Sequence, residues 1–196
     1  MKAQDNPFRS ERLERLAFRE PGFSWDDLDA RLAAAGSRGA IVGPEGHGKT
    51  TLLLEWRPRR QAAGWKTALI RVGRNQRRLL ESQKSELVDA EAVFADSAEQ
   101  LCWGGWREFV ALTRAARCVV VTTHRPGRFP PVHVCRTSPD ILRELVNELH
   151  GSANDCLSLW HRHRGNLRNA LRELYDKAAD VGRCQGPEMP AAALRR

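Results

Sequence analysis

The sequence predicts an α/β fold, a three-layer sandwich on a five-stranded parallel sheet, followed by a small all-helical piece. Three observations predict it. Up to Thr137, short apolar runs of strand length alternate with amphipathic stretches of helix length, the pattern that parallel strands joined by helical crossovers require. Three valines leading into two threonines, within Cys118–Thr123, form the most strand-like stretch of the sequence. Beyond Thr137 only helical periodicity remains. The expected organisation is therefore a core with its N-terminal helices over residues 1–137, a helical piece over 138–180 and a disordered tail over 181–196.

In chain order, Asn6-Pro7-Phe8 precedes a helix expected over Ser10–Arg19, with Leu13, Leu16 and Ala17 on one face, and Pro21-Gly22 breaks it. Ser24 is placed as an N-cap with Asp27 three residues on, and Trp25, Leu28, Leu32 and Ala35 form the stripe of the second helix before Gly36. Gly39–Val42 is a strand. A glycine-rich turn and a helix from Lys49 follow, with Leu52, Leu53 and Trp56 on its buried face; Pro58 is expected to end or kink it. Thr67–Val72 is the second strand, Arg77–Val88 a polar helix, and Ala92–Ala95 a third strand ending at Asp96. Trp106, Phe109, Val110 and Thr113 mark a helix, and Val132–Cys135 a fifth strand. Ser138-Pro139 reads as an N-cap with proline in the first turn. It opens a helix with Ile141, Leu142, Leu145, Val146 and Leu149 on one face, closed by Gly151. Two more helices are expected, over Asp155–His163 and Leu167–Ala179.

Composition excludes several classes. At 196 residues, 41% hydrophobic and 29% charged, the chain can bury a core and is not a disordered polymer. No apolar run approaches the roughly 18 residues of a membrane span, and Met1–Phe18 holds no apolar stretch of secretory type, so a cytoplasmic setting is expected. Five scattered cysteines without a C-x-x-C pair support neither a disulfide framework nor a zinc site. The net charge of +8 rests on 27 Arg against 5 Lys, which suits a polyanionic partner without specifying one.

Gly43-Pro44-Glu45-Gly46-His47-Gly48-Lys49-Thr50 matches G-x-x-x-x-G-K-[ST] in full, between a strand and a helix. Each part has a physical purpose. Glycines let backbone N–H groups converge on an anion, and the helix N-terminus adds positive potential. Lys49 reaches the β- and γ-phosphates, the Thr50 hydroxyl can ligate Mg²⁺, and Thr51 lies in the same first turn. Asp96, at the end of another strand, is the candidate for the second Mg²⁺ anchor. No lysine lies in an N-K-x-D or T-K-x-D context that would read guanine.

These motifs resemble the ASCE division of P-loop NTPases, and the AAA+ and STAND-type ATPases within it. The resemblance implies that the Val119–Thr123 strand lies between the phosphate-loop strand and the Asp96 strand. It also implies that the polar tip, Thr122 or Thr123, senses the γ-phosphate, with Thr123 chosen. Gly165-Asn166-Leu167-Arg168 resembles the start of an AAA+ lid helix, which implies a second sensing role for Arg168. Asn6-Pro7-Phe8 resembles the segment that packs near adenine. One departure matters: Ser97 stands where many ASCE ATPases carry a catalytic glutamate, and serine cannot activate water. Glu99 is the substitute candidate if the chain turns helical at once.

The resulting expectation is a protein that binds ATP with Mg²⁺ and hydrolyses it slowly, with movement of the 138–180 lid coupled to nucleotide state. Self-association or a protein partner is possible on this reading. A P-loop kinase with Arg125 and Arg128 as lid arginines is one alternative. A non-catalytic adaptor that merely binds nucleotide, beside nucleic acid held through the clusters Arg57, Arg59, Arg60 and Arg71, Arg74, Arg77, Arg78, is another; no aromatic–basic platform for single strands is evident in the sequence. Solvent is the expected surrounding of Arg125 and Arg128, and His161–Arg164 is expected to be a solvated helix end.

Overall fold

The computed structural model describes residues 8, 10–13, 15–150 and 155–184. Residues 17–137 form one compact unit, and the described parts of 8–16 and 138–184 form a second.

In the first unit, strands β1 (Arg38–Val42), β2 (Thr67–Arg71), β3 (Ala92–Asp96), β4 (Cys118–Thr123) and β5 (Pro131–Val134) form one sheet in the order β2-β3-β4-β1-β5. Every pairing is parallel. β4 lies between β1 and β3, with Val42 opposite Thr123 and Ala95 opposite Val121, as the ASCE resemblance implied. β3 and β4 are buried at every position, which explains their unbroken apolar runs: a parallel sheet is covered on both faces.

Alternate residues feed two cores. Ile41, Phe94 and Val120 pack with Leu28 and Leu32 of α2 (Trp25–Ala34) and Leu52, Leu53 and Trp56 of α3 (Lys49–Ala62). Val42, Ala95 and Val121 pack on the other face with Leu87 of α4 (Glu81–Leu87) and with Trp106 and Phe109 of α5 (Trp103–Leu112). Ser24 caps α2, its hydroxyl accepting from the Asp27 N–H at 3.4 Å.

The second unit contains the single turn α1 (Ser10–Leu13), α6 (Pro139–Glu148), α7 (Cys156–Arg162) and α8 (Leu167–Cys184). Its core joins Phe8, Leu142, Val146, Leu159 and Leu171, with Leu13 and Leu16 packed against them. Ser138 caps α6 by accepting from the Ile141 N–H at 3.2 Å, with Pro139 in the first turn.

Several boundaries differ from the sequence expectation. α1 stops at Leu13, six residues short of Arg19, and α8 continues five residues past Ala179 to Cys184. Pro58 does not end α3, which runs on to Ala62. Asp29 accepts from the Trp56 indole N–H at 2.9 Å and pairs with Arg60, so the helix is anchored on both sides of the proline. α4 begins at Glu81, not Arg77, because the Arg77 carbonyl accepts from the Cys102 N–H (2.9 Å) and the Gln83 side chain reaches back to the Leu80 N–H (3.0 Å). Val110 lies on the outer side of α5, 39% exposed. Asn6, Pro7, Gly151 and residues 185–196 lie outside the described residues.

Candidate functional site

β1 delivers the chain into the Gly43–Thr50 loop, and α3 carries it away. The loop is fixed at its start, where the Gly43 N–H donates to the Thr123 carbonyl at 3.2 Å. It is fixed at its end by Gly48, which N-caps α3 with φ 85°. Any other residue there would be strained, and its Cβ would meet the Phe18 ring at 3.3 Å. The Lys49 ammonium donates to the carbonyls of Gly43 (2.7 Å) and Pro44 (2.8 Å), and the side chain is almost wholly buried. The bend thus carries its positive charge inside itself. Pro44 and Glu45 are exposed at the tip, whereas Gly46, His47, Gly48, Thr50 and Thr51 are half-buried. Burial, reinforced by the Lys49 charge, lowers the His47 pKa even though the Cys135 backbone opposes the shift.

Thr50 follows Lys49 on α3 and turns to β3: its hydroxyl lies 3.1 Å from both oxygens of Asp96. Thr122 donates to the same carboxylate at 2.6 Å and accepts from the Ser97 N–H at 2.8 Å. Thr50, Asp96, Thr122 and Ser97 therefore form one connected network across α3, β3 and β4. Thr123 points to the opposite face of β4, and its buried hydroxyl has no hydrogen-bond partner among the described residues. Strand parity is the sequence signal that separates the two threonines: Thr122 shares its face with Phe94 and Asp96 through Val120.

Ser97 adopts a left-handed conformation, φ 60°. It turns the chain at once into a 3₁₀ turn, Ala98–Gln100, that carries Glu99. Both Glu99 carboxylate oxygens are buried without a hydrogen-bond partner. The Nδ1 of His124 lies 2.9 Å from Oε1, close enough for ion pairing but misaligned for a hydrogen bond. His124, one residue past β4, is a neighbour of Glu99 that sequence reasoning missed.

The other candidates are dispersed. Arg125 is exposed after β4. Arg128 does not face solvent: it donates to the Leu101 carbonyl at 2.6 Å and lies over the Trp106 ring at 4.9 Å. Arg168, exposed at the second position of α8, belongs to the other unit. Within that unit Arg162 and His163 pair with Glu173 of α8, while His161, Arg162 and Arg164 are exposed at the end of α7, as expected of a solvated helix end.

Mg²⁺ at phosphate sites takes one or two protein oxygens and completes its shell with phosphate and water. The Thr50 hydroxyl beside the Asp96 carboxylate is such a donor pair, and both are oxygens as a hard cation prefers. No cluster of three or more His, Cys, Asp or Glu suited to another metal occurs among the described residues.

A parallel sheet of this order, with a glycine-rich loop passing from β1 into α3 and an acid closing β3, is a P-loop fold of AAA+-like type. Solved structures of RuvB from Thermotoga maritima share it. Two point-mutant forms match with TM-scores of 0.52 and 0.56, each at 14% identity. The matches cover 81% and 87% of this chain and 64% and 68% of those chains, so this chain spans about two thirds of their length. At that identity the likeness is one of fold. No protein-family model matches the sequence, and no curated protein sequence does. No helix among the described residues is long and apolar enough to cross a membrane.

Proposed function

We propose that this chain binds ATP with Mg²⁺ and hydrolyses it slowly, as an AAA+-like ATPase or nucleotide-dependent switch. The observation that carries the reading is the adjacency of two devices on one helix start. Lys49 charges the bend of the loop, and Thr50, one residue on, meets Asp96 at 3.1 Å. The backbone amides of Glu45, Gly46, His47 and Gly48 cradle phosphate, with Gly43, its N–H held by the Thr123 carbonyl, and Pro44 shaping the bend and Thr51 closing the first turn. Thr50 and Asp96 hold Mg²⁺, which supplies charge neutralisation on the phosphates when bound.

Glu99 orients the attacking water. Its carboxylate is buried, makes no hydrogen bond and has only the His124 imidazole beside it, and the Ser97 turn brings it in directly after Asp96. Thr123 senses the γ-phosphate from β4, and Thr122 holds Asp96 in place. Turnover is slow because Ser97, where a base would stand, cannot take a proton. Adenine is preferred on the resemblance and the missing guanine motif. The free thiols Cys102, Cys118, Cys135 and Cys156 support a cytoplasmic setting.

A non-catalytic switch is the second reading, favoured by Ser97. The kinase alternative loses support because Arg128 is engaged with Leu101 and Trp106. Nucleotide titration with a phosphate-release assay on wild type, Lys49→Ala and Glu99→Gln separates these readings. The ATPase reading expects slow release by wild type, loss of nucleotide binding in Lys49→Ala, and retained binding with release reduced roughly 10²-fold or more in Glu99→Gln. Equal release by all three overturns the catalytic assignment. Binding without release leaves the switch.

A further inference from the structure

Five of the six tryptophans have a ring partner. Arg59 lies over Trp25, Arg60 over Trp56 and Trp65, Arg117 over Trp65, and Arg128 over Trp106, while Trp160 meets His161 edge-on. Trp103 has no stacked ring and no capping guanidinium among the described residues, and it is 72% exposed. An indole left bare to that extent sacrifices a large favourable burial, so its surroundings are informative.

Those surroundings are basic. Trp103 opens α5, and Arg107, one turn on, shares its outer face with Val110 and, just beyond the helix, Arg114; all are exposed. The segment after β2 brings in Arg77 and Arg78. Its backbone is pinned to the start of α5 by the Cys102 N–H to the Arg77 carbonyl, 2.9 Å. Gly105 makes that approach possible, since a Cβ there would lie 2.4 Å from the Arg77 oxygen. The Arg78 guanidinium accordingly stands within 3.7 Å of where a Cβ on Gly104 would project, next to Trp103. Arg77, Arg78, Arg107 and Arg114 pair with no carboxylate among the described residues. The one acid in α5, Glu108, is turned to Lys84 at 2.8 Å.

The geometry points to a binding platform for single-stranded nucleic acid, formed by Trp103 with Arg77, Arg78 and Arg107. The three unpaired guanidinium groups of Arg77, Arg78 and Arg107 call for a polyanion. The bare indole beside them calls for a flat, unstacked ring. A single strand alternates phosphates and open bases, and so meets both demands. A duplex hides its base faces, and an acidic peptide leaves the indole uncovered. The platform is built on the segments that follow β2 and β3, and none of its residues belongs to the phosphate loop or to the Thr50–Asp96 pair. A change at Trp103 is therefore expected to leave nucleotide binding intact.

The test is fluorescence anisotropy of labelled oligothymidylate on the full chain at low salt, with wild type, Trp103→Ala, Trp103→Phe and Arg77→Ala/Arg78→Ala. Melting temperature and binding of a fluorescent ATP analogue confirm that each variant is folded. Trp103→Ala is expected to weaken binding roughly ten- to hundredfold, the worth of one stacked base, while Trp103→Phe keeps most of the affinity. Removing Arg77 and Arg78 is expected to flatten the slope of log affinity against log salt by about 1.4, that is about 0.7 per phosphate contact. The platform is overturned if wild type does not bind, if Trp103→Ala binds like wild type, or if duplex or polyglutamate displaces the strand as well as unlabelled single strand does.

Discussion

Ser97 shows how one residue sets the character of the site. It holds a left-handed backbone at φ 60°, which costs a non-glycine residue about 1 kcal/mol. Its N–H to Thr122 hydrogen bond at 2.8 Å helps hold the chain there. Ser97→Gly removes the Cβ penalty without disturbing that bond, so its melting temperature is expected to rise by a few degrees with nucleotide affinity unchanged. A fall in melting temperature would mean that the serine side chain, not the turn, is what the fold requires. Lys49, Thr50 and Asp96 were legible in the sequence because a contiguous motif and a strand end mark them. The pairing of Asp96 with Thr122 rather than Thr123 was not, since either threonine satisfies a polar strand tip until strand parity is applied. Trp103 was illegible for a different reason: composition marks a tryptophan as core, whereas this one opens α5 on the outer face it shares with Arg107 and Val110.

At the scale of elements, strands and amphipathic helices were readable wherever local periodicity decides structure. Misread boundaries fall where a distant contact decides it: Asp29 carries α3 past Pro58, and Cys102 holds Arg77 out of α4. The junction of α7 and α8 is likewise held by one side chain. Glu173 accepts from Lys177 and pairs with His163 and Arg162, and these contacts pull its pKa down from 4.5 to about 2, the Lys177 hydrogen bond contributing most. A carboxyl with a depressed folded-state pKa adds its full stability above the unfolded value and loses it as pH falls from about 4.5 toward 2. Glu173→Gln is therefore expected to lower the melting temperature at neutral pH, with the gap to wild type narrowing as the solution is acidified below about 4.5. A gap independent of pH would assign the loss to packing instead of charge.

For the whole molecule, the parallel order β2-β3-β4-β1-β5 gathers the loop, Asp96 and both threonines at the C-terminal ends of adjacent strands, where open α/β sheets bind ligands. A fold so arranged is stabilised by whatever the loop holds, because a ligand that binds only the native state raises unfolding free energy by about 2.7 kcal/mol at a hundred times its dissociation constant. The most direct measurement is the melting temperature against ATP concentration, with Mg²⁺ and with chelator, for wild type and Lys49→Ala. The account predicts a saturable rise of several degrees in wild type, largest with Mg²⁺, and none in Lys49→Ala. A flat wild-type curve, or an equal rise in Lys49→Ala, would contradict it.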